Sequence, residues 1–332
     1  MNRNIVIISG VVIASLVGIS IFFSSDIYQL TSQNNSVTIG ITLWAGYAHS
    51  YIAQEKGFFE DEGVKVELQL RENLEDSLQY FKEGKTDAVF GLQSDAMLLS
   101  AQGVPLKIVY ITDFSNGGDV IVSKLEIKTI VDLKGKKISV ETLNGFNHIF
   151  LNELLRQNDM QESDVEIVPI PAPMVPDALE SGIIDAGQTW EPYQSQAIAN
   201  GYRLLASSAD APGIITDVLM FHSKFVEERP DDVKKIIIAL DRALKYRNID
   251  YIGSYGIMSD ATGVSPSDLK RSIGGNTFPD LEENKESFTE SEKLTSLYSS
   301  GKIISDFFLE RGIISAPINL KDLLATEIIM EL

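Results

Sequence analysis

The chain has 332 residues, 44% hydrophobic and 23% charged, which is the composition of a folded protein with one large or two medium domains. Its net charge of −19 argues against nucleic acid and anionic lipid surfaces as partners of the folded part. The absence of cysteine excludes disulfides, thiolate metal sites and a cysteine-linked lipid anchor, and three histidines without an HExxH motif disfavour a zinc enzyme.

The N-terminus differs from the rest of the chain. Residues 1–23 hold an uninterrupted apolar run from Ile5 to Phe23, which is long enough to span a bilayer. We favour an uncleaved membrane anchor over a cleaved signal peptide, because the run exceeds a usual signal core and no small-x-small site follows. Arg3 predicts an inside N-terminus and an exported body, which lies on the outer face of the cytoplasmic membrane, or in the periplasm if the segment is cleaved. Residues 24–35 are polar and are predicted to form a tether.

From residue 36 onward, β-like runs alternate with amphipathic helix patterns. The first set comprises predicted strands at 36–43, 64–70, 86–91 and 105–111 and predicted helices at 48–56, 74–82 and 94–101. This βαβα order predicts a largely parallel sheet with helices on its faces.

Two stretches rich in Gly, Ser and Asp, at 112–122 and 207–213, interrupt that order. Between them a second set has predicted strands at 136–141, 164–170, 183–190 and 202–207 and predicted helices at 146–157, 174–181 and 191–200. A strand at 214–221 follows the second break, and then helices at 230–247, 266–273, 291–311 and 319–330. We therefore predict a two-lobed α/β protein, with lobe 1 formed by 36–114 and 214–332, lobe 2 by 115–213, and a cleft that closes about the two crossings.

Ligands of open α/β sheets bind beyond the carboxyl ends of the strands, so the turns at those ends supply the candidate site residues. Both tryptophans of the chain occupy such turns, one in each predicted lobe, where two aromatic rings could enclose a small ligand. The predicted ligand-binding residues are Trp44, Tyr47, His49, Gln93, Ser94, Asp95, Asn116, Asp119, Glu141, Asn144, Phe146, His148, Trp190, Glu191 and Tyr193.

Several of these residues have an alternative structural role. Ser94 and Asp95 could simply cap a helix, either tryptophan could belong to the core, and either histidine could be structural. The turns carry four carboxylates and no lysine or arginine, which suits a ligand with an amine, cationic or heteroaromatic portion. The spacing of the residues indicates no catalytic set, no metal site and no cofactor motif.

Six segments together resemble the substrate-binding proteins of ABC importers of the nitrate, sulfonate and taurine type, a family that includes thiamine-precursor binding proteins. They are "YAHSYIAQEKGFFEDEGVKVEL", "GKTDAVFGLQSDAMLLSAQGVPLKIV", "DFSNGGDVIVSK", "DLKGKKISVE", "ALESGIIDAGQTWEPY" and "GVSPSDLKRSIGG". The resemblance implies a two-lobed type II periplasmic-binding-protein fold, with two mixed sheets flanked by helices and a ligand cleft between the lobes. It implies ligand capture by lobe closure, and delivery to an ABC permease and its ATPase. It also implies that the candidate turns approach the ligand, and we expect a monomer that is not an enzyme.

Two other functions are compatible with the same resemblance. An enzyme of thiamine-pyrimidine or quinone biosynthesis is disfavoured, because the similar fungal enzymes carry a cysteine-rich iron-binding motif and this chain is expected to be exported. A signalling receptor would need a second spanning helix and an output domain. The solute stays open among thiamine-precursor pyrimidines, taurine-like zwitterions, sulfonates, nitrate and amides.

Overall fold

The computed structural model describes residues 36–332, so the predicted anchor at 1–23 and the whole predicted tether at 24–35 lie outside the described residues. The strands in chain order are β1 (Val37–Ile41), β2 (Val66–Leu70), β3 (Ala88–Leu92), β4 (Leu106–Ser115), β5 (Val120–Ser123), β6 (Lys137–Val140), β7 (Glu166–Pro169), β8 (Ala186–Thr189), β9 (Arg203–Ser207), β10 (Thr216–His222) and β11 (Asn276–Thr277).

The helices flank these strands on both faces. In chain order they are α1 (His49–Glu55), α2 (Phe58–Asp61), α3 (Leu74–Lys82), α4 (Gln93–Ala101), α5 (Phe146–Gln157), α6 (Val175–Glu180), α7 (Tyr193–Ala199), α8 (Ser223–Glu228), α9 (Pro230–Ile249), α10 (Tyr251–Thr262), α11 (Pro266–Gly274), α12 (Leu281–Ser287), α13 (Leu297–Glu310), α14 (Leu320–Leu323) and α15 (Thr326–Met330).

The strands form two separate mixed sheets. The first has six strands in the order β11-β4-β10-β3-β1-β2, and the second has five in the order β7-β6-β8-β5-β9. In the first sheet β1 runs parallel to β2 and β3, whereas β10 is antiparallel to both β3 and β4. The predicted class, two mixed sheets flanked by helices, is confirmed; the exact lobe boundaries stay a prediction.

The helix and strand boundaries follow ordinary local chemistry. α3 begins after Asn73, whose side chain accepts a hydrogen bond of 2.8 Å from the backbone N–H of Asp76. α9 begins with Pro230, which needs no backbone partner in a first turn, followed by Asp231 and Asp232, whose charges favour that end of a helix. β3 is buried along its whole length because it lies inside the sheet between β1 and β10.

The chain passes between the sheets at two neighbouring connections. Ser208 donates its backbone N–H to the carbonyl of Asp119 at 2.8 Å, and the N–H of Ser115 bonds the carbonyl of Ile215 at 3.1 Å. The Ser208 hydroxyl also accepts from the backbone N–H of Gly117 at 2.7 Å. The two connections are therefore bonded to each other along their length.

The structure differs from the predicted elements at several positions. β4 continues to Ser115, through polar residues that were predicted to begin a break, because those side chains are buried. Helices α2, α8, α10 and α12 and the two-residue strand β11 were not predicted, and the helix predicted at 319–330 is two short ones. Between residues 36 and 332 no helix combines the length and apolar character needed to cross a bilayer.

Candidate ligand-binding site

Three cavities open beside the same two aromatic side chains, Trp44 and Trp190. Their volumes are about 320, 250 and 220 Å³, and both tryptophans line all three. Trp44 follows β1 and Trp190 follows β8, so one comes from each sheet. We call these three cavities together the cleft. Its size suits a small solute, and its two indoles supply flat apolar surface.

The largest of the three cavities has an acidic wall. We call this wall the floor and define it as Tyr47, Asp119 and Asp217, which line the cavity, together with Asp113, the cross-strand partner of Asp217. Asp113 on β4 and Asp217 on β10 are direct cross-strand partners, and both are buried, at 0% and 3% exposure. The Tyr47 hydroxyl donates a hydrogen bond to Asp217 Oδ1. The floor therefore concentrates carboxylates where water cannot solvate them.

Burial is the main cause of the raised pKa values of the floor aspartates. It raises the pKa of Asp113 to about 7, opposed by the Trp44 indole and Thr112 hydroxyl contacts, which favour the charged form. Burial raises the pKa of Asp119 to about 6, partly opposed by the Ser115 hydroxyl. For Asp217, burial and then the charge of Asp113 raise the pKa well above its ordinary range. These acids bind protons far more readily than exposed aspartates.

Gly46 allows the floor to close against the turn after β1. A Cβ atom at Gly46 would lie 1.8 Å from Asp113 Oδ2 and 2.6 Å from Trp44 Nε1. Both contacts are far below van der Waals distance, so only glycine fits without moving a floor carboxylate or a cleft tryptophan. The Trp44-Ala-Gly46-Tyr47 segment is thus shaped by its contact with β4.

The second sheet contributes its own carboxylates to the cleft. Asp119 Oδ2 accepts from the Ser115 hydroxyl at 2.7 Å, and Asp119 Oδ1 lies 3.3 Å from Gln188 Nε2. Glu141, after β6, and Phe146, the first residue of α5, line the same cavity as Asp119 and Asp217. Burial raises the pKa of Glu141 as well. Acidic side chains from both sheets therefore face one cavity.

The outer edge of the cleft has a different character. We call it the rim and define it as Asn116, Glu191, Asp268, Arg271 and Ser272, all of which line one or both of the two smaller cavities. Arg271 is exposed and pairs with Asp268 through an Nη2–Oδ1 contact of 2.9 Å. The sequence predicts a site without lysine or arginine. This prediction holds for the floor but not for the rim, because α11 brings Arg271 to the opening of the cleft.

Eight of the fifteen predicted site residues line the cleft, namely Trp44, Tyr47, Asn116, Asp119, Glu141, Phe146, Trp190 and Glu191. Placement on the cleft wall is an observation, whereas ligand contact by these residues stays a prediction. The other seven do not line the three cavities, and five of them have identifiable contacts elsewhere.

His49, Gln93 and Ser94 are buried, Asp95 is half-buried, and none of the four lines the cleft. The His49 ring lies edge-on to Phe278, and burial lowers its pKa to about 3. Gln93 donates to the carbonyl of Leu297 at 2.6 Å and accepts from Ser300, which ties α4 to α13. Asp95 accepts the backbone N–H of Leu92 at 3.1 Å, the capping role that was the alternative for this residue.

His148 packs against α13 instead of the cleft. Its ring lies edge-on to Phe307, and its Nε2 lies 3.1 Å from Glu162 and 3.3 Å from the Arg311 guanidinium. Burial and the nearby arginine lower the pKa of His148 to about 4. Asn144 donates its backbone N–H to His148 Nδ1 at 3.1 Å, with a positive φ of 68°. Tyr193 begins α7 and is half-buried.

Sequence patterns missed Asp113, Asp217 and Arg271. Asp113 lies in the predicted break at 112–122, and Asp217 lies in the predicted strand at 214–221; neither position was among the turns that supplied candidate residues. One signal was available, since Asp113 follows a mainly apolar run and Asp217 precedes one, and a buried charge is rarely retained beside such a run without a role. Nothing in the pattern of α11 distinguishes Arg271 from any exposed helix residue.

Comparisons with known proteins agree with this geometry. Residues 44–248 match the family model described as NMT1/THI5 like. A protein of Brucella abortus named as a binding protein is 27% identical over 304 residues, which cover 88% of this chain and 90% of the relative. The 4-amino-5-hydroxymethyl-2-methylpyrimidine phosphate synthase of Aspergillus parasiticus is 25% identical over 248 residues, covering 70% and 72%.

Among solved structures, the periplasmic aliphatic sulphonate binding protein SsuA of Escherichia coli superimposes with a TM-score of 0.72 at 17% sequence identity. The alignment covers 87% of this chain and 92% of that one. At this identity the likeness concerns the fold alone. The family-level resemblance predicted from the sequence is confirmed.

Proposed function

The chain belongs to the NMT1/THI5-like family, and from this premise we propose that it is the solute-binding protein of an ABC importer. One observation carries the proposal. A tryptophan from each sheet lines a cleft of small-molecule size. The largest cavity of this cleft is lined by buried carboxylates, and no lysine or arginine is among its lining residues. A polar solute held there would be removed from water by both sheets.

The charge of the floor indicates the chemistry of the solute. Buried carboxylates are costly unless something neutralises them, so a ligand with an amine, cationic or heteroaromatic portion gains the most there. Indole faces attract cations and stack on flat rings, which favours the same class. Sulfonate and nitrate, the ligands of some proteins of this fold, would place a negative charge against Asp217 and Asp119.

The mechanism follows from the two bonded connections between the sheets. The open form admits the solute, and rotation about residues 116–119 and 208–215 brings Trp44 and Trp190 together around it. The closed form then docks on a membrane permease, whose ATPase partner drives release. Capture for import takes place outside the cytoplasm, and the N-terminal apolar run would hold the protein at the membrane.

A thermal-shift screen of residues 36–332 tests the proposal. The panel contains aminopyrimidines, taurine, alkanesulfonates, nitrate and urea, and a bound solute raises the melting temperature by mass action. We expect an aminopyrimidine or another amine-bearing solute to give the largest rise. A protein stabilised by none of these classes would contradict the proposal.

Trp190→Ala provides the matching test of the site. Because an aromatic wall is lost, affinity for the stabilising solute should fall about 30-fold, roughly 2 kcal/mol, with little change in unfolding temperature. Leu204→Ala, which truncates an exposed side chain of β9 in the same sheet, serves as the control and should leave affinity unchanged. Unchanged affinity in Trp190→Ala would remove this residue from the site.

We also propose that the chain is not an enzyme, although the Aspergillus relative is one by name. The supporting observation is the sequence, which contains no cysteine and begins with a segment that predicts export. Mass spectrometry after prolonged incubation should recover every stabilising solute chemically unchanged. A stoichiometric or catalytic product would favour the synthase function instead.

A further inference from the structure

The pairing of β4 with β10 places two acids side by side at the bottom of the cleft. In their antiparallel register Asp113 lies directly opposite Asp217. Directly opposed residues of antiparallel strands project to the same face, with Cβ atoms about 5 Å apart. Asp217 lines the largest of the three cavities of the cleft, whereas Asp113 is fully buried and lines none of them. Like charges in this arrangement repel strongly when they are buried.

The groups that face the pair do not neutralise it. Tyr47 donates its hydroxyl to Asp217, Asp119 adds negative charge from the connection before β5, Asp95 adds it from α4, and Glu141 acts on Asp119 in the same way. Among residues 36–332, the cation whose charge acts on the pair is Arg247, whose guanidinium lies over the Phe278 ring at 4.0 Å.

One oxygen of the pair has no partner. Asp113 Oδ1 is buried and finds no hydrogen-bond donor among residues 36–332. An unpaired buried carboxylate oxygen is expensive, and the cost falls if one member of the pair carries a proton. Two interacting acids of this kind titrate as a unit, so the proton belongs to the pair and not to one residue.

We propose that the Asp113–Asp217 pair determines ligand specificity by exchanging its proton for a planar, amidinium-type cation. In this exchange the carboxylic O–H bond of the pair breaks and its proton leaves for the buffer. The N–H groups of the cation then bond the Asp217 carboxylate, which lines the cavity. The inference rests on the proposed binding function and names the part of the solute that the floor recognises.

The two tryptophans and the acid pair both favour a planar cation. Trp44 and Trp190 line the cavity that Asp217 lines, so a flat ligand can contact indole surface and carboxylate at once. Carboxylates bind a planar N–C–N group through two parallel hydrogen bonds, which a spherical ammonium cannot do. Burial, which already favours the protonated pair, makes the exchange dependent on pH.

Benzamidinium and benzamide provide a matched pair of probes, since they share a shape and differ in charge. Isothermal titration calorimetry of residues 36–332 should detect benzamidinium and give at least tenfold weaker binding for benzamide. Repeating the titration in buffers of different ionisation enthalpy counts the protons, and we expect release of about one at pH 6. Affinity for benzamidinium should therefore rise with pH between about 5 and 8.

Variants separate the roles of the two acids. Asp217→Asn should weaken benzamidinium binding at least 30-fold at pH 8, because the contacting charge is lost. Asp113→Asn should fold and still bind the cation, with proton release abolished and the pH profile flattened, because the amide mimics the protonated partner. Asp260→Asn alters an exposed carboxylate of α10 and should match the unmodified protein.

Binding of benzamidinium without proton release, or equal affinity for benzamide, would overturn the inference. So would a pH profile that Asp113→Asn leaves unchanged. If benzamidinium fails while taurine or nitrate stabilises the protein in the thermal-shift panel, the specificity inference is wrong and the binding function stands. If nothing in either set binds, the binding function itself is wrong.

Discussion

The floor and the rim of the same cleft handle charge in opposite ways. In the floor, Asp113 and Asp217 are fully or almost fully buried and their pKa values are raised by burial. At the rim, Arg271 and Asp268 are exposed and form an ordinary surface ion pair at 2.9 Å. The buried floor carboxylates are thus destabilised, and a suitable ligand can relieve this destabilisation, whereas solvent already screens the charges of the rim.

The difference in burial between rim and floor gives their charges different roles in binding. Exposed charges such as Arg271 influence how a solute approaches, and their effect declines with added salt. Buried acids such as Asp217 decide which solute stays, because only a suitable partner compensates their desolvation. Three substitutions test how far this division holds, and they follow in order of expected effect.

Gly46→Val should produce the largest change, because its Cβ alone would overlap Asp113 Oδ2. We expect at least 100-fold loss of solute affinity and about 2–3 kcal/mol lower unfolding free energy from overpacking. Calorimetric binding and urea denaturation measure the two effects. Gly256→Ala is the control, since no described atom lies within 4 Å of its Cβ position in α10, and it should be neutral or slightly stabilising. Normal affinity in Gly46→Val would mean that the floor is not tightly packed.

Asp113→Asn should stabilise the ligand-free protein at alkaline pH. The folded pKa of Asp113 is raised to about 7, so the native state binds more protons than the unfolded chain between about pH 4 and 7. The unmodified protein therefore loses stability as pH rises through that window, and the amide does not. Denaturation at pH 4 and pH 8 should show a gain on the order of 2–4 kcal/mol confined to pH 8. An equal effect at both pH values would contradict a buried proton.

Arg271→Ala should produce the smallest change. An exposed ion pair contributes about 0–1 kcal/mol, so unfolding free energy should move by less than about 0.5 kcal/mol. Affinity for benzamidinium should stay within about threefold and differ most at low ionic strength. A tenfold loss at physiological salt would place the rim among the determinants of affinity and remove the distinction drawn above.

Hydrophobic alternation predicted most of the fold. The βαβα order and the two breaks predict two α/β lobes, because these features depend on local periodicity and turn chemistry. The resemblance of six segments implies the two mixed sheets that the structure has. The boundaries of β4 were wrong for one physical reason. Thr112 and Asp113 are polar and buried, and a pattern method assigns such residues to a turn.

The site residues in turns could be predicted from the sequence, whereas the residues brought together by strand pairing could not. Trp44 and Trp190 follow strands, so their position at the cleft can be inferred from chain order. The opposition of Asp113 and Asp217 depends on β10 inserting between β3 and β4, which no local pattern specifies. His148 shows the converse, because Phe146 at the start of α5 lines the cleft while His148, two residues later, packs on Phe307.

The position of β10 also bears on how the protein acquires its function during folding. β10 follows the whole second sheet in the chain, yet it completes the first sheet by pairing with β3 and β4. Asp217 can therefore join Asp113 only after a long loop has closed, and contacts of such high sequence separation form slowly. An emerging or partly folded chain would have its tryptophans in place before it had a floor. Competence to bind a cation should thus appear late in refolding, together with the last step of native structure.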